Sequence, residues 1–428
     1  MKRFWLLVAF FITSFCLIPQ VQAKTVTLQQ LIDQTPDGGV LHLKGKKYKE
    51  NVTIRKSITI KGSNQTVIES NTQETAIKIE GTNKVNIENL TIQHAHLGIV
   101  AKNVQHFQIK DVTLINNWGG IQLYNSKNVM LRNLSIKGIH GHYSNKGNGI
   151  ALFNSENVIA THNHIDHVQD GIYVENVNGI KLVANKIQNG RYSIHFMFVK
   201  NSQASNNTFN RNVTGIMLMM SENAILSTNK IMNQNGLNAS GMTLFQSKNI
   251  KSVENIFQSN RTAISAQNLT NSKIVKNTFL MNQTAVELIR SNKKNSVREN
   301  DFVGNIVNLR SDGTTSNIAR NYYDDYAGID VNDDGIGDQT YVALQSFGQW
   351  MVRQPPYQYF IESPSVVLLN EMDRQTNVIE KVQLVDQTPM MHSAINMQQE
   401  STVSVGKVMI GLALIFSILW FWRKEIQR

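Results

Sequence analysis

The chain has 428 residues, a formal net charge of +11 and a single cysteine. One cysteine excludes a disulfide framework, a multi-thiolate metal cage and the redox chemistry of paired thiols. The surplus Lys and Arg are scattered singly through polar repeats, which reads as solvated faces rather than a nucleic-acid footprint, though it favours acidic partners or anionic lipid.

Residues 1–23 have the form of a secretory signal peptide. Met1-Lys2-Arg3 is followed by an apolar run from Phe4 to Ile18 and by small residues at Val21-x-Ala23. Cleavage after Ala23 makes Lys24 the mature N-terminus and removes Cys16, so the exported chain carries no thiol. Lipid modification of Cys16 is disfavoured, because Ser14-Phe15 lacks the small residue needed just before it. Residues 24–75 read as an N-terminal cap and the first β-helix turns. "LQQLIDQTPDGGVLHLKGKKY" is amphipathic, breaks at Gly38-Gly39 and covers an open sheet edge.

Residues 76–320 repeat. A Gly/Ala/Ser-Ile-x-Leu element starts at 76, 98, 120, 149, 171, 193, 215, 241, 263 and 285, in steps of 22 except for one of 29 and one of 26. Asn163, Asn185, Asn207, Asn229, Asn255, Asn277, Asn300 and Asn321 keep the same beat. A 22-residue period with short alternating strands and almost no proline predicts an all-β, right-handed parallel β-helix of roughly eleven rungs, stacked about 4.8 Å apart. The Ile and Leu of each element point inward, and the Asn column forms an amide ladder at a turn. The two long steps insert residues at one turn, in "HGHYSNKGNG" and "NQNGLNASG", and so rim one face.

On that face the outward positions align His195 with Met217 and Met197 with Met219. Neighbours in such a grid lie about 5 to 7 Å apart, and imidazole with thioethers is a soft ligand set suited to Cu(I). The same face, with Tyr124, Phe153 and Phe245, also reads as a docking surface for another protein. A weaker imidazole site combines His162 and His164 with His140 and His142 of the inserted loop, for Cu(II) or Zn.

Residues 321–345 read as an Asp-rich closing motif, "NYYDDYAGIDVNDDGIGDQTY". Within it Asp330, Asn332, Asp334 and Asp338 have the spacing of a Ca²⁺ loop, but Tyr341 stands where the bidentate Glu belongs. A hydrogen-bonded cap whose Asp side chains hold turn amides is the simpler reading, with at most weak Ca²⁺ binding. Residues 346–400 form a C-terminal extension. Residues 401–428 read as a transmembrane anchor with a short basic cytoplasmic tail, from the apolar run Val408 to Trp422, the interfacial Trp420 and Trp422, and Arg423, Lys424 and Arg428.

The motif of Asn321, Tyr322, Asp325, Tyr326, Asp330, Asp334, Gly335, Ile336, Gly337 and Asp338 resembles the NosD family, as do the rungs and the "LVDQTPMM" tail. The resemblance implies a non-enzymatic, periplasmic accessory of nitrous-oxide-reductase maturation in denitrification. Its implied partners are an ABC-type ATPase and permease at the cytoplasmic membrane, a copper chaperone as donor, and nitrous-oxide reductase as the recipient of copper for its sulfide-bridged cluster. Two other classes compete. A β-helix lyase or epimerase needs clustered carboxylates or a base with a cation on one face, and the outward columns offer only Glu175 and Glu287, far apart. A plain cell-surface binding rod needs no site at all.

Overall fold

In the computed structural model each repeat becomes one turn of three strands, the second and third running on as one in Lys84–Gln93 and His106–Asn117. The structure describes residues 26–70, 73–236, 238–311, 316–343, 357, 360, 363–375 and 384–393. The signal peptide and the proposed anchor at 401–428 lie outside them. Among the described residues no helix is long and apolar enough to cross a membrane. Residues 1–391 form one compact unit and 392–428 a second, and everything below concerns the first.

The Gly-Ile-x-Leu elements build a sheet of twelve parallel strands, from Val52–Ile54 to Val307–Ser311, and the other two strands of each turn join a 24-stranded sheet. The result is a right-handed parallel β-helix of about 13 turns, more than the roughly eleven expected, in part because Val52–Ile54, ahead of the first repeat, already pairs with Thr75–Glu80. Strand alternation makes the core: Ile194, Phe196, Ile216, Leu218, Met242 and Leu244 are buried inside successive turns. The small residue opening each element has a steric cause. A Cβ on Gly215 would lie 2.5 Å from the Gly241 carbonyl oxygen and 2.8 Å from Ile231 Cγ2, so adjacent turns touch backbone to backbone there.

Asparagine performs two tasks. On the corner after the first strand, Asn103, Asn125, Asn154 and Asn176 take left-handed φ, which Asn tolerates better than most residues. Phe198, Met220 and Gln246 occupy the same corner with φ of 55°, 47° and 46°, breaking the Asn series for three turns. Elsewhere the Asn column beginning at Asn163 is buried and forms the expected ladder: each Nδ2 donates to the next Oδ1, at 2.9 Å from Asn163 to Asn185 and 3.0 Å from Asn185 to Asn207.

The ends are closed differently. The helix Leu28–Gln34, with a Thr27/Gln30 capping box, packs Leu28 and Ile32 onto the first turn. Gln29 there substitutes for a missing strand: its Nε2 donates to the Thr53 carbonyl at 3.1 Å and its Oε1 accepts from Thr53 N–H at 2.8 Å. At the other end Phe257, Phe279, Phe302, Tyr323 and Tyr341 stack in one column, with centroids 3.6 to 5.1 Å apart. Tyr341–Val342 pairs antiparallel with Val385–Asp386. Asp386 terminates the amide ladder, its Oδ2 accepting from both the backbone N–H and Nδ2 of Asn321 at 2.9 Å.

Candidate functional site

Three adjacent strands of the twelve-stranded sheet, Asp170–Glu175, Tyr192–Met197 and Thr214–Met219, carry the site. Their register sets His195 beside Met217, Met197 beside Met219, Tyr173 beside His195 and Glu175 beside Met197. The four candidate ligands therefore occupy two neighbouring strands about 4.8 Å apart. Met197, Met217 and Met219 are partly exposed.

His195 departs from the expectation of an open outward imidazole, being only 7% exposed. The reason is aromatic cover: the Tyr173 and Tyr192 rings each meet it edge-on, with centroids 5.0 Å away. Its Nδ1 lies 3.0 Å from Oδ2 of Asp170, and its buried Nε2 has no hydrogen-bond partner. Asp170 is fully buried and held by Arg191 in a two-point fork, Nε to Oδ1 at 2.8 Å and Nη2 to Oδ2 at 2.7 Å. Burial alone would raise the Asp170 carboxyl, but the hydrogen bonds from Arg191 and His195 more than reverse this and hold it below the ordinary carboxylate value. Burial, reinforced by Glu175, pushes the Tyr173 phenol well up, so it stays a donor: to Glu175 Oε2 at 2.6 Å and towards Met197 Sδ at 3.4 Å.

Sequence reasoning missed Asp170 and Arg191. The signal was present in the column just before each Gly-Ile element, where Asp170 is the one carboxylate among Leu97, Gly119, Asn148, Tyr192, Thr214, Ser240, Thr262 and Thr284. Tyr124 and Phe153 continue the face, stacked at 4.8 Å. Around the corner from the methionines, Phe198, Met220, Gln246, Lys200, Glu222 and Lys248 line a cleft of about 650 Å³.

The other candidates stand apart from this cluster. His162 and His164 are exposed, and Nδ1 of His162 lies 2.7 Å from the Thr161 hydroxyl. His142 is engaged with Ser144 Oγ at 2.9 Å within its own loop. In the closing motif, Asp330 accepts from Gly335 N–H at 2.8 Å, Asp334 from Ile336 N–H at 2.8 Å and Asp338 from Val331 N–H at 2.7 Å, while Asn332 Nδ2 donates to Asp334 at 3.1 Å. Those carboxylates spend oxygens on turn amides. Among the described residues no three His, Cys, Asp or Glu side chains converge as metal ligands.

Comparison with known proteins gives the fold and a partial family match. Residues 51–197 match a family described as a right-handed β-helix region, and residues 133–332 match the family described as periplasmic copper-binding protein (NosD). Among solved structures, the chain is similar to the A-module of a mannuronan C-5 epimerase from Azotobacter vinelandii (TM-score 0.54, 15% identity, 67% of this chain and 91% of that one). It is also similar to a GH136 lacto-N-biosidase from Eubacterium ramulus (TM-score 0.50, 10% identity, 68% of this chain and 64% of that one). Likeness at such identity concerns the fold alone. Two curated relatives carry the name "Probable ABC transporter binding protein NosD": one from Pseudomonas aeruginosa at 28% identity and one from Stutzerimonas stutzeri at 29%. Each alignment runs over 111 residues, 25% of this chain and 26% of the relative. The match thus spans about a quarter of each relative's length. Residues 133–332 thus carry the NosD match, and both curated relatives that align with the chain bear that name.

Proposed function

We propose that this chain is a non-enzymatic accessory protein on the outer side of the cytoplasmic membrane, working beside an ABC transporter and handling copper as cargo. In this reading Cu(I) arrives from a copper chaperone and passes toward the copper-sulfide cluster of nitrous-oxide reductase. Residues 401–428 anchor the chain after export by residues 1–23. The observation that carries the reading is the register of His195, Met197, Met217 and Met219 on two adjacent strands, with Nε2 of His195 unpartnered. Thioethers need no deprotonation and give a site from which an ion can leave, which suits transfer better than a thiolate cage.

The alternative, a polysaccharide lyase or epimerase, would use the Asp170, His195 and Tyr173 cluster as acid and base. One feature weighs against it: Asp170 is already committed to Arg191 and His195, so it offers no free carboxylate base. The discriminating variant is Met217→Leu with Met219→Leu, which keeps volume and apolarity and deletes two thioethers. It should fold, dock its partners and leave the reductase cluster short of copper. Unchanged Cu(I) binding and complete cluster assembly would refute copper handling at this face.

A further inference from the structure

We infer that Asp170 and Arg191 are positioning residues that lock His195 in the tautomer carrying its proton on Nδ1, so that Nε2 presents a free lone pair to a soft metal ion. The identity of that ion rests on the copper reading above; the tautomer does not, since it is a property of the metal-free chain.

The geometry runs outward from the buried carboxylate. Arg191 donates to both oxygens of Asp170, and Oδ2 is shared with His195 Nδ1 at 3.0 Å. A carboxylate forked by a guanidinium can only accept, so Nδ1 is the donor. A proton on Nε2 would be a buried donor with nothing to receive it, because that atom has no partner. The Tyr173 hydroxyl does not change this, since it is engaged by Glu175 and Met197. The two edge-on tyrosines fix the imidazole plane, and Arg191 is itself held over the Tyr192 ring at 4.5 Å. The arrangement has the logic of a carboxylate behind a metal-binding histidine, in which the outer partner sets tautomer and orientation.

The test uses the full chain in detergent micelles with ¹⁵N-labelled histidine. Long-range ¹H–¹⁵N correlation reads each ring nitrogen, with His195 identified by its absence from His195→Gln. The metal-free protein should show a protonated Nδ1 and an unprotonated Nε2. Addition of Ag(I), a redox-inert stand-in for Cu(I), should move the Nε2 signal. Asp170→Asn should lose the single tautomer and bind Ag(I) about 10- to 100-fold more weakly. A protonated Nε2, or an averaged pair of tautomers, in the metal-free wild type overturns the inference, and that measurement decides even where Asp170→Asn fails to fold. A locked Nδ1–H tautomer in a chain that takes up no Ag(I) upholds the positioning role and overturns the copper reading instead.

Discussion

Asn207 offers a sharp test of what holds successive turns together. Its Oδ1 accepts from the backbone N–H of Asn185 at 2.9 Å and from Asn185 Nδ2 at 3.0 Å, and its Nδ2 donates to the Leu182 carbonyl and to Asn229 Oδ1, both at 2.9 Å. Asn207→Ala deletes all four. The buried Asn185 amide loses its acceptor, which costs about 1–3 kcal/mol, and the three other bonds contribute about 0.5–1.5 kcal/mol each. The expected destabilisation is therefore about 2.5–7.5 kcal/mol, at the upper end for one substitution. Asn207→Asp should be worse at neutral pH despite keeping Oδ1, because its second oxygen would face two acceptors, the Leu182 carbonyl and Asn229 Oδ1. Urea unfolding gives the total. Hydrogen exchange at the Asn185 amide gives the location, since turns of a solenoid couple mainly to their neighbours. A loss below about 1 kcal/mol for Asn207→Ala, or an Asp variant as stable as wild type, would refute the claim that the carboxamide's two-sided bonding holds the stack.

Two further outcomes follow from the same chemistry. Asp386→Ala removes the acceptor of Arg320 N–H, of both donors of Asn321 and of the Tyr323 hydroxyl. It should destabilise the last turn by about 2–4 kcal/mol, read as new proteolytic cleavage between residues 384 and 391 with the early turns unaffected. Phe198→Asn places a residue that tolerates left-handed φ on a strained corner and should raise stability by about 1 kcal/mol, measured as a higher melting temperature. An unchanged or lower melting temperature would show that Phe198 packing outweighs the backbone strain.

Much of this is legible in the sequence because the fold is periodic. A 22-residue beat fixes which residues stack, so the alignment of His195 with Met217 and of Met197 with Met219 follows from counting alone. The Asn column is assigned to a ladder for the same reason. The environment of His195 does not follow from counting. Outward on a strand is not the same as exposed, and the cover comes from Tyr173 one turn earlier and from Tyr192 within its own strand. Asp170 and Arg191 escape because they lie just ahead of the repeating element, in columns that keep no pattern: Leu97, Asn148 and Thr214 align with Asp170, and Trp118, Gln169 and Val213 with Arg191. Asp386 escapes for a different reason: it meets Asn321 across 65 residues that follow no period, so no counting rule points to it.

Asp386 also gives the ladder a grammar. Asparagine has an acceptor for the turn before it and a donor for the turn after, so each one both receives and transmits. Aspartate accepts and cannot pass anything on, and the exchange of one amide nitrogen for an oxygen turns a link into a full stop. A column of identical amides has no intrinsic length and invites a second molecule to add itself at the open end, as stacked amides do in fibrils. Placing an acceptor-only residue, brought from far along the chain, over the last amide removes that invitation. The number of turns is thus written not in the repeat but in the residue that refuses to continue it.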